Sequence, residues 1–296
     1  MDKINGSGHP IRLVLIDLDG TFLRDDKSIP EENLSALEFL ENQGIPYSIA
    51  TGRSYVSALP YLEHFPSHVP AILQNGALVM YPCSKEIIHQ FPLEESIANY
   101  IFQRAENYDL HCVISRGWLE DACLWLNKPY EGVYSAYLQN HGVNFEVICP
   151  QDSLKQGSVT EIVLMGSEFY MHQLINETVQ KFGQNFSIIK SFDWQGETFL
   201  EIMGPSVSKS HSLVHLCDHF GISASSVLFI GDNYNDLDAM RTAGYPVAVA
   251  NALDHVKALA CFISKSNNDG GVGHAIRTLL QDPSLHRREA EPYVPV

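Results

Sequence analysis

Short apolar runs that stop at polar turn residues set the rhythm of this chain. The first, Ile11-Arg12-Leu13-Val14-Leu15-Ile16, is apolar but for one arginine and ends at Asp17. A continuous run of this length predicts a strand buried on both faces, as in a parallel sheet. After Pro30, Leu34, Leu37 and Leu40 recur at helical spacing and Gly44 follows, which predicts an amphipathic helix with a glycine stop. Tyr47 to Ala50 and Ala71 to Leu73 read as a second and a third strand. Alternation of strands and helices in this order predicts a parallel α/β sheet with right-handed crossovers.

The middle of the chain changes period. Leu78 to Tyr81 and Ile87 to Phe91 read as a hairpin across a turn containing Pro82. Leu93, Ile97, Tyr100 and Ile101 form a helical stripe, and strand-like pieces follow at 110–115 and 122–126. A helix through Met171, Leu174, Ile175, Val179 and Phe182 lies between strands at 161–165 and 186–192. Residues 83–193 therefore read as an α+β domain inserted into the parallel one, whose parts are 1–82 and 194–296. The α/β rhythm returns with a strand at Phe199 to Met203, a helix from Ser208 to Phe220 and the apolar run Val227-Leu228-Phe229-Ile230. A helix at 236–243, a strand at 247–250, a helix at 253–259 and a strand at 262–263 complete it. The ends, 1–10 and 282–296, are polar or charged and read as loose, and the first has no apolar h-region that would make it a signal peptide.

Composition narrows the function. The 296 residues are 45 % hydrophobic and 18 % charged, enough for two packed cores and unlike a disordered chain. No run approaches the roughly 20 apolar residues of a membrane span. Subtracting 35 acidic from 19 basic residues leaves a net charge of −16, a field that repels nucleic acid but leaves room for a small anion beside a bound cation. The six cysteines form no CxxC pair, so they read as reduced thiols in a cytoplasmic protein.

Polar residues then cluster just after the buried strands, where open α/β sheets bind ligands. Asp17-Leu18-Asp19-Gly20-Thr21 places two carboxylates at i and i+2; the pair suits phosphoryl transfer, and it also suits an ordinary turn capping a strand. Ala50-Thr51-Gly52-Arg53 offers a hydroxyl and an amide to a phosphate, or a plain helix start. Lys209 stands in a first helical turn, where the helix dipole disfavours a cation unless an anion shares the place. Gly231-Asp232-Asn233-Tyr234-Asn235-Asp236 supplies hard oxygen ligands of the kind magnesium prefers, or an acidic helix cap. Four such signals at the strand ends of one sheet favour a phosphoryl-transfer site.

In this order, DLDGT, ATGR, the lysine and GDNYND resemble the four motifs of the haloacid dehalogenase superfamily of phosphohydrolases. The insert of about 110 residues between the second and third motifs resembles the cap of the Cof-type, subclass IIB members. Ser266-Asn267-Asn268-Asp269-Gly270-Gly271-Val272 resembles that group's final loop. The likeness spans residues 11–280. It implies a Rossmann-like core with an inserted cap, Mg2+ as cofactor, and hydrolysis of a small phosphorylated metabolite, most simply a sugar phosphate. Carried over by position, it makes Asp17 the nucleophile and a metal ligand. Asp19 becomes general acid and then base, its backbone carbonyl a further ligand. Thr51, Gly52 and Asn235 hold the phosphoryl group, Lys209 neutralises it and fixes Asp17, Asp232 binds magnesium, and Asp236 supports the metal shell. Ser210 departs from the pattern, standing where a glycine is frequent. A dehalogenase would not need the acid at position 19, and a P-type pump would need membrane spans. A phosphomutase or a non-catalytic phosphate sensor of the same fold remains open, and no feature sets the oligomeric state.

Other residues carry bland and chemical readings together. His211, His215 and His219 recur every four residues along one helix face, and a packed or solvated stripe is preferred to a metal site. Trp118, Trp125 and Trp194 read as cap anchors, and Arg116, Glu120 and Asp121 as candidate substrate contacts.

Overall fold

A computed structural model describes residues 9–119, 123–129, 144–148, 158–194 and 197–282, and the chain divides into two units. The first takes in the chain up to Gly52, Tyr61–His89 and the chain from Ser208; the second takes in Arg53–Pro60 and Gln90–Val207.

The centre of the first unit is strand β1 (Leu13–Ile16), every residue of it buried. On one side it pairs in parallel with β2 (Tyr47–Ile49), and on the other with β12 (Val227–Gly231). Beyond β12 lie β13 (Tyr245–Ala248) and β14 (Phe262–Ile263), also parallel, giving the order β14-β13-β12-β1-β2. The buried apolar runs are thus the middle of a sheet covered on both faces, as their unbroken hydrophobicity demands. A parallel bridge between Ala50 and Ile72 leads on to β3 (Ala71–Leu73), which turns antiparallel to β4 (Leu78–Met80), with β5 (Ile87–Gln90) next. The expected hairpin is therefore the outer part of a small three-stranded sheet.

Helix α1 (Glu31–Asn42) buries Ala36, Leu37 and Leu40 and packs on α8 (Gly271–Gln281). Helices α2 (Tyr55–Leu62) and α7 (Asp254–Lys257) are shorter. The buried Asn33 locks α1 to α8: its amide donates to the Phe22 carbonyl (2.9 Å) and its oxygen accepts from Gly273 N–H (2.8 Å).

The second unit is built on a six-stranded sheet in the order β10-β11-β9-β6-β7-β8. Its strands are β6 (His111–Arg116), β7 (Cys123–Leu126), β8 (Asn144–Val147), β9 (Val159–Gly166), β10 (Ser187–Trp194) and β11 (Glu197–Met203). Only the β7–β8 pair is parallel. Helices α3 (Glu95–Ala105) and α4 (Glu168–Phe182) lay Ile97, Ile101, Met171 and Leu174 against Cys112, Ile114, Ile162 and Leu164. The alternate residues Val113, Val163, Met165 and Phe199 make a second cluster, as the two-residue period of a strand requires. One expectation is corrected here. Phe199–Met203 does not reopen the parallel core; it runs antiparallel between β9 and β10. An apolar run of five residues carries no mark of its sheet, because either environment buries it.

No helix among the described residues is long and apolar enough to cross a membrane. Cys83, Cys112, Cys123, Cys217 and Cys261 are free thiols.

Candidate active site

Asp17 follows β1 directly, between the ends of its two neighbours. Its N–H donates to the Ile230 carbonyl on β12 (3.0 Å), while Ala50 N–H, at the end of β2, donates to the Ile16 carbonyl (2.9 Å). The chain then makes one wide turn over Leu18–Phe22, closed by Phe22 N–H on the Asp17 carbonyl and Leu23 N–H on the Leu18 carbonyl. Leu18, Thr21 and Phe22 point inward and anchor the turn. Gly20 sits at its crest with φ +77°, and a Cβ there would stand 2.4 Å from Asp232 Oδ2. Only glycine meets both conditions without strain.

Three carboxylates converge on this turn. One oxygen each from Asp17, Asp232 and Asp236 lie within 4.8 Å of one another. Lys209, the first residue of α5 (Lys209–Phe220), is 1 % exposed and donates from Nζ to Asp17 Oδ1 and Asp236 Oδ1, each at 2.7 Å. Its helix starts there because the Ser208 hydroxyl accepts from His211 N–H (3.0 Å), a standard cap. Asp236 is itself fully buried, and its Oδ2 accepts from the N–H groups of Asp232 (2.9 Å) and Asn233 (3.0 Å). Asn233 and Asp236 form a capping box over the turn that leads into α6 (Leu237–Thr242). Thr21 Oγ1 donates to Asp232 Oδ1 (2.7 Å), steering that carboxylate toward Asp17.

The charges do not balance: three acids face one ammonium. Burial raises the Asp17 carboxyl well above the usual range, and Asp236 and Asp232 add to this against Lys209. Burial, then the charge of Asp236, pushes Asp232 up to about 7 despite the Thr21 hydrogen bond. Burial works to deprotonate Lys209, but Asp17 and Asp236 outweigh it and hold the ammonium charged. A site with this excess of buried negative charge fits a divalent cation, and its donors are the hard oxygens that Mg2+ accepts. Asp17 and Asp232 keep oxygens for it, whereas both oxygens of Asp236 are engaged with Lys209 and the Asp232–Asn233 backbone.

The other predicted residues lie around this cluster. Thr51 is buried at the end of β2, its N–H on the Ile72 carbonyl (2.9 Å). A Cβ on Gly52 would come 3.1 Å from Asn75 Oδ1. Asn235 Nδ2 donates to that same Asn75 Oδ1 (2.9 Å), so the second and fourth motifs meet through a residue the sequence reading passed over. Asn75 is buried at φ +53°, and its N–H donates to the Thr51 carbonyl (3.0 Å). Its signal was the Asn75-Gly76 pair right after an apolar strand, a pattern that marks left-handed backbone. Asp19 stands apart from the buried trio, half-exposed, with Lys27 Nζ at 2.7 Å from its Oδ1. Lys27 is the second residue missed; a lone lysine in a charged loop carries no pattern that would single it out.

The remaining candidates are on other elements. Arg116 is buried in the second unit, ion-paired to Glu95 (2.9 Å) with its guanidinium 4.8 Å above the Trp125 ring. Trp118 is buried as well. Glu120 and Asp121 lie outside the described residues, as does the Trp194 side chain. Along α5, His211 Nε2 and His215 Nε2 are 3.0 Å apart, and His219 Nε2 is 2.9 Å from the Tyr81 hydroxyl.

The profile of a family described as haloacid dehalogenase-like hydrolase matches residues 14–276. A Streptococcus pyogenes protein named as an inferred phosphatase is 28 % identical over 90 % of this chain and 97 % of its own. The Bacillus subtilis 5-amino-6-(5-phospho-D-ribitylamino)uracil phosphatase YwtE is 25 % identical over 91 % of this chain and 98 % of its own. Among solved structures, a subclass IIB sugar phosphatase of the haloacid dehalogenase superfamily superposes with a TM-score of 0.75 at 20 % identity. It covers 91 % of this chain and 98 % of that one.

Proposed function

The chain belongs to the haloacid dehalogenase-like hydrolases and is one of the family's phosphatases, and from that premise we propose that it cleaves a small phosphate ester through a phospho-aspartate on Asp17. The observation that carries this reading is the buried Asp17 carboxylate. It is held at a strand end by Lys209 at 2.7 Å and shares its place with Asp232 and Asp236.

Asp17 attacks phosphorus in line with the ester oxygen. The new bond is Asp17 O–P, and the bond to the leaving oxygen breaks as Asp19 gives that oxygen its proton. Water then attacks the phospho-aspartate while Asp19, now a carboxylate, takes the water's proton. The Asp17 O–P bond breaks and inorganic phosphate leaves. Asp17, Asp232 and the Asp19 carbonyl would hold Mg2+, which when bound would supply charge neutralisation for the phosphoryl oxygens. Lys209 holds Asp17 in place and offsets the charge of the incoming phosphate, and Asp236 in turn holds Lys209. The Thr51 hydroxyl, the Gly52 amide and the Asn235 side chain receive the equatorial oxygens, whose charge is what the site must stabilise. The Lys27–Asp19 ion pair is half-exposed, and such pairs contribute little, so Asp19 exchanges it readily for the leaving group.

Two observations support a phosphorylated sugar or sugar alcohol as substrate. The subclass IIB neighbour is titled a sugar phosphatase, and YwtE is named for an ester of a phosphorylated ribityl chain. We assign the inserted unit the part of a cap that selects the leaving group. The chain works in the cytoplasm on a small metabolite, without a nucleic-acid or membrane partner; its cysteine pattern and net charge of −16 support this.

The test is hydrolysis of p-nitrophenyl phosphate and a panel of sugar phosphates, with Mg2+ and with EDTA, by wild type and Asp17→Asn. Turnover that needs Mg2+ and disappears in Asp17→Asn is expected. Turnover surviving in Asp17→Asn removes the nucleophile assignment. No turnover of any ester by wild type turns the weight to a mutase or a sensor.

A further inference from the structure

Outside the carboxylate centre, α5 carries a cluster of metal-ligating histidines. His211 and His215, one helical turn apart, bring their Nε2 atoms to 3.0 Å, with ring centroids 4.5 Å apart. The ring of His89, from β5, lies 4.3 Å from that of His215, tilted by 44°. His219, the next in the series, is not part of the pair: its Nε2 is turned to the Tyr81 hydroxyl at 2.9 Å.

We propose that His211 and His215 form a second metal site, for a borderline divalent ion of the Zn2+ or Ni2+ type, distinct from the Mg2+ centre and independent of the phosphatase reading. Two nitrogens bound cis at about 2.1 Å from one metal stand roughly 3.0 to 3.4 Å apart, so the observed separation is already the bite of a chelate. Without metal, two nitrogens at this distance must share a proton, one ring donating and the other accepting. On binding, that Nε2 proton moves to the Nδ1 of the same ring, and both Nε2 lone pairs turn to the ion; no proton need leave a neutral pair. Imidazole selects Zn2+, Ni2+ or Cu2+ over Mg2+, which keeps the two centres chemically separate.

Among the described residues, only Asp17, Asp232 and Asp236 bring three His, Cys, Asp or Glu ligand atoms within 4.8 Å. The histidine site is therefore bidentate, with water completing the shell. Half-burial restricts both imidazoles and the His89 ring lies against that of His215, which lowers the entropy cost of holding them for the ion. The chelate would span the first two turns of α5, the segment that begins with Lys209.

Zn2+ titration of the full chain by calorimetry, with Mg2+ in excess, tests this with His211→Asn, His215→Asn, His219→Asn and Asp232→Asn. One equivalent should bind to wild type, Asp232→Asn and His219→Asn, with affinity at least about tenfold weaker in either His211→Asn or His215→Asn. Zn2+ should also raise the unfolding temperature of wild type and Asp232→Asn but not of His215→Asn. Should the histidine variants fold poorly, ring NMR signals of wild type decide: those of His211 and His215 must shift first with substoichiometric Zn2+. Binding unchanged in both His211→Asn and His215→Asn, loss confined to Asp232→Asn, first shifts at other histidines, or no binding to wild type overturns the proposal.

Discussion

Lys209 shows how much of this site depends on one side chain. It neutralises two buried carboxylates, each at 2.7 Å, from a position with no exposure of its own side chain. A buried pair is costly to assemble and more costly to break, because the remaining partner keeps its charge in a poorly solvated place. Lys209→Met would leave Asp17 and Asp236 facing each other and Asp232 without a counter-charge. We predict a loss of roughly 3 to 5 kcal/mol in urea unfolding, the range for breaking a buried ion pair. A shift below about 1 kcal/mol would place the variant with ordinary surface changes and would mean the acids do not need their partner. Asp236, with three hydrogen bonds on its two oxygens, is the residue that keeps Lys209 aimed.

At the scale of elements, the wide turn Leu18–Phe22 and the loop 231–236 are shaped to each other. Gly20 has φ +77° and no room for a Cβ beside Asp232 Oδ2. Gly20→Ala should therefore displace Asp232 and raise the Mg2+ concentration for half-maximal activity about 10- to 100-fold, the usual effect of disturbing the support of a ligand. Unchanged Mg2+ dependence would show that the turn can relax without moving Asp232. The ends of these elements were readable from sequence, since a buried apolar run followed by Asp-x-Asp-Gly or Gly-Asp-Asn marks its own boundary. For that reason the runs 11–16 and 227–230 did become strands, over Leu13–Ile16 and Val227–Gly231. What did not announce itself was pairing across distance. The strand Phe199–Met203 joined the inserted unit's sheet, and Asn75 bridged the Gly52 turn to Asn235, because neither property is local. The histidine stripe had the right period, but the meeting of two rings at 3.0 Å is a matter of rotamers.

For the whole molecule, the unbalanced site links metal, pH and stability. Asp232 is pushed up to about 7, chiefly by burial and then by Asp236, and Asp17 is raised too. A carboxyl whose folded pKa exceeds its unfolded value, about 3.9, favours folding at low pH and loses that contribution as pH rises through the folded value. Between about pH 4 and 7 the metal-free protein should therefore lose stability from these groups, with Lys209 staying charged throughout. Mg2+ binds the deprotonated form, so the rise in unfolding temperature on adding Mg2+ should be larger near pH 8 than near pH 5. Asp232→Asn should flatten that difference; an Mg2+ effect independent of pH in wild type would contradict it. The central claim, that Asp17 carries the phosphoryl group, is tested most directly by acid quench during turnover, followed by peptide mass spectrometry. A phosphoryl adduct on Asp17, absent in Asp17→Asn and accumulating in Asp19→Asn with p-nitrophenyl phosphate, whose leaving group needs no acid so that only the water step depends on Asp19, is the result this account predicts. Turnover with no adduct on Asp17 under these conditions, or an adduct on another residue, would contradict it.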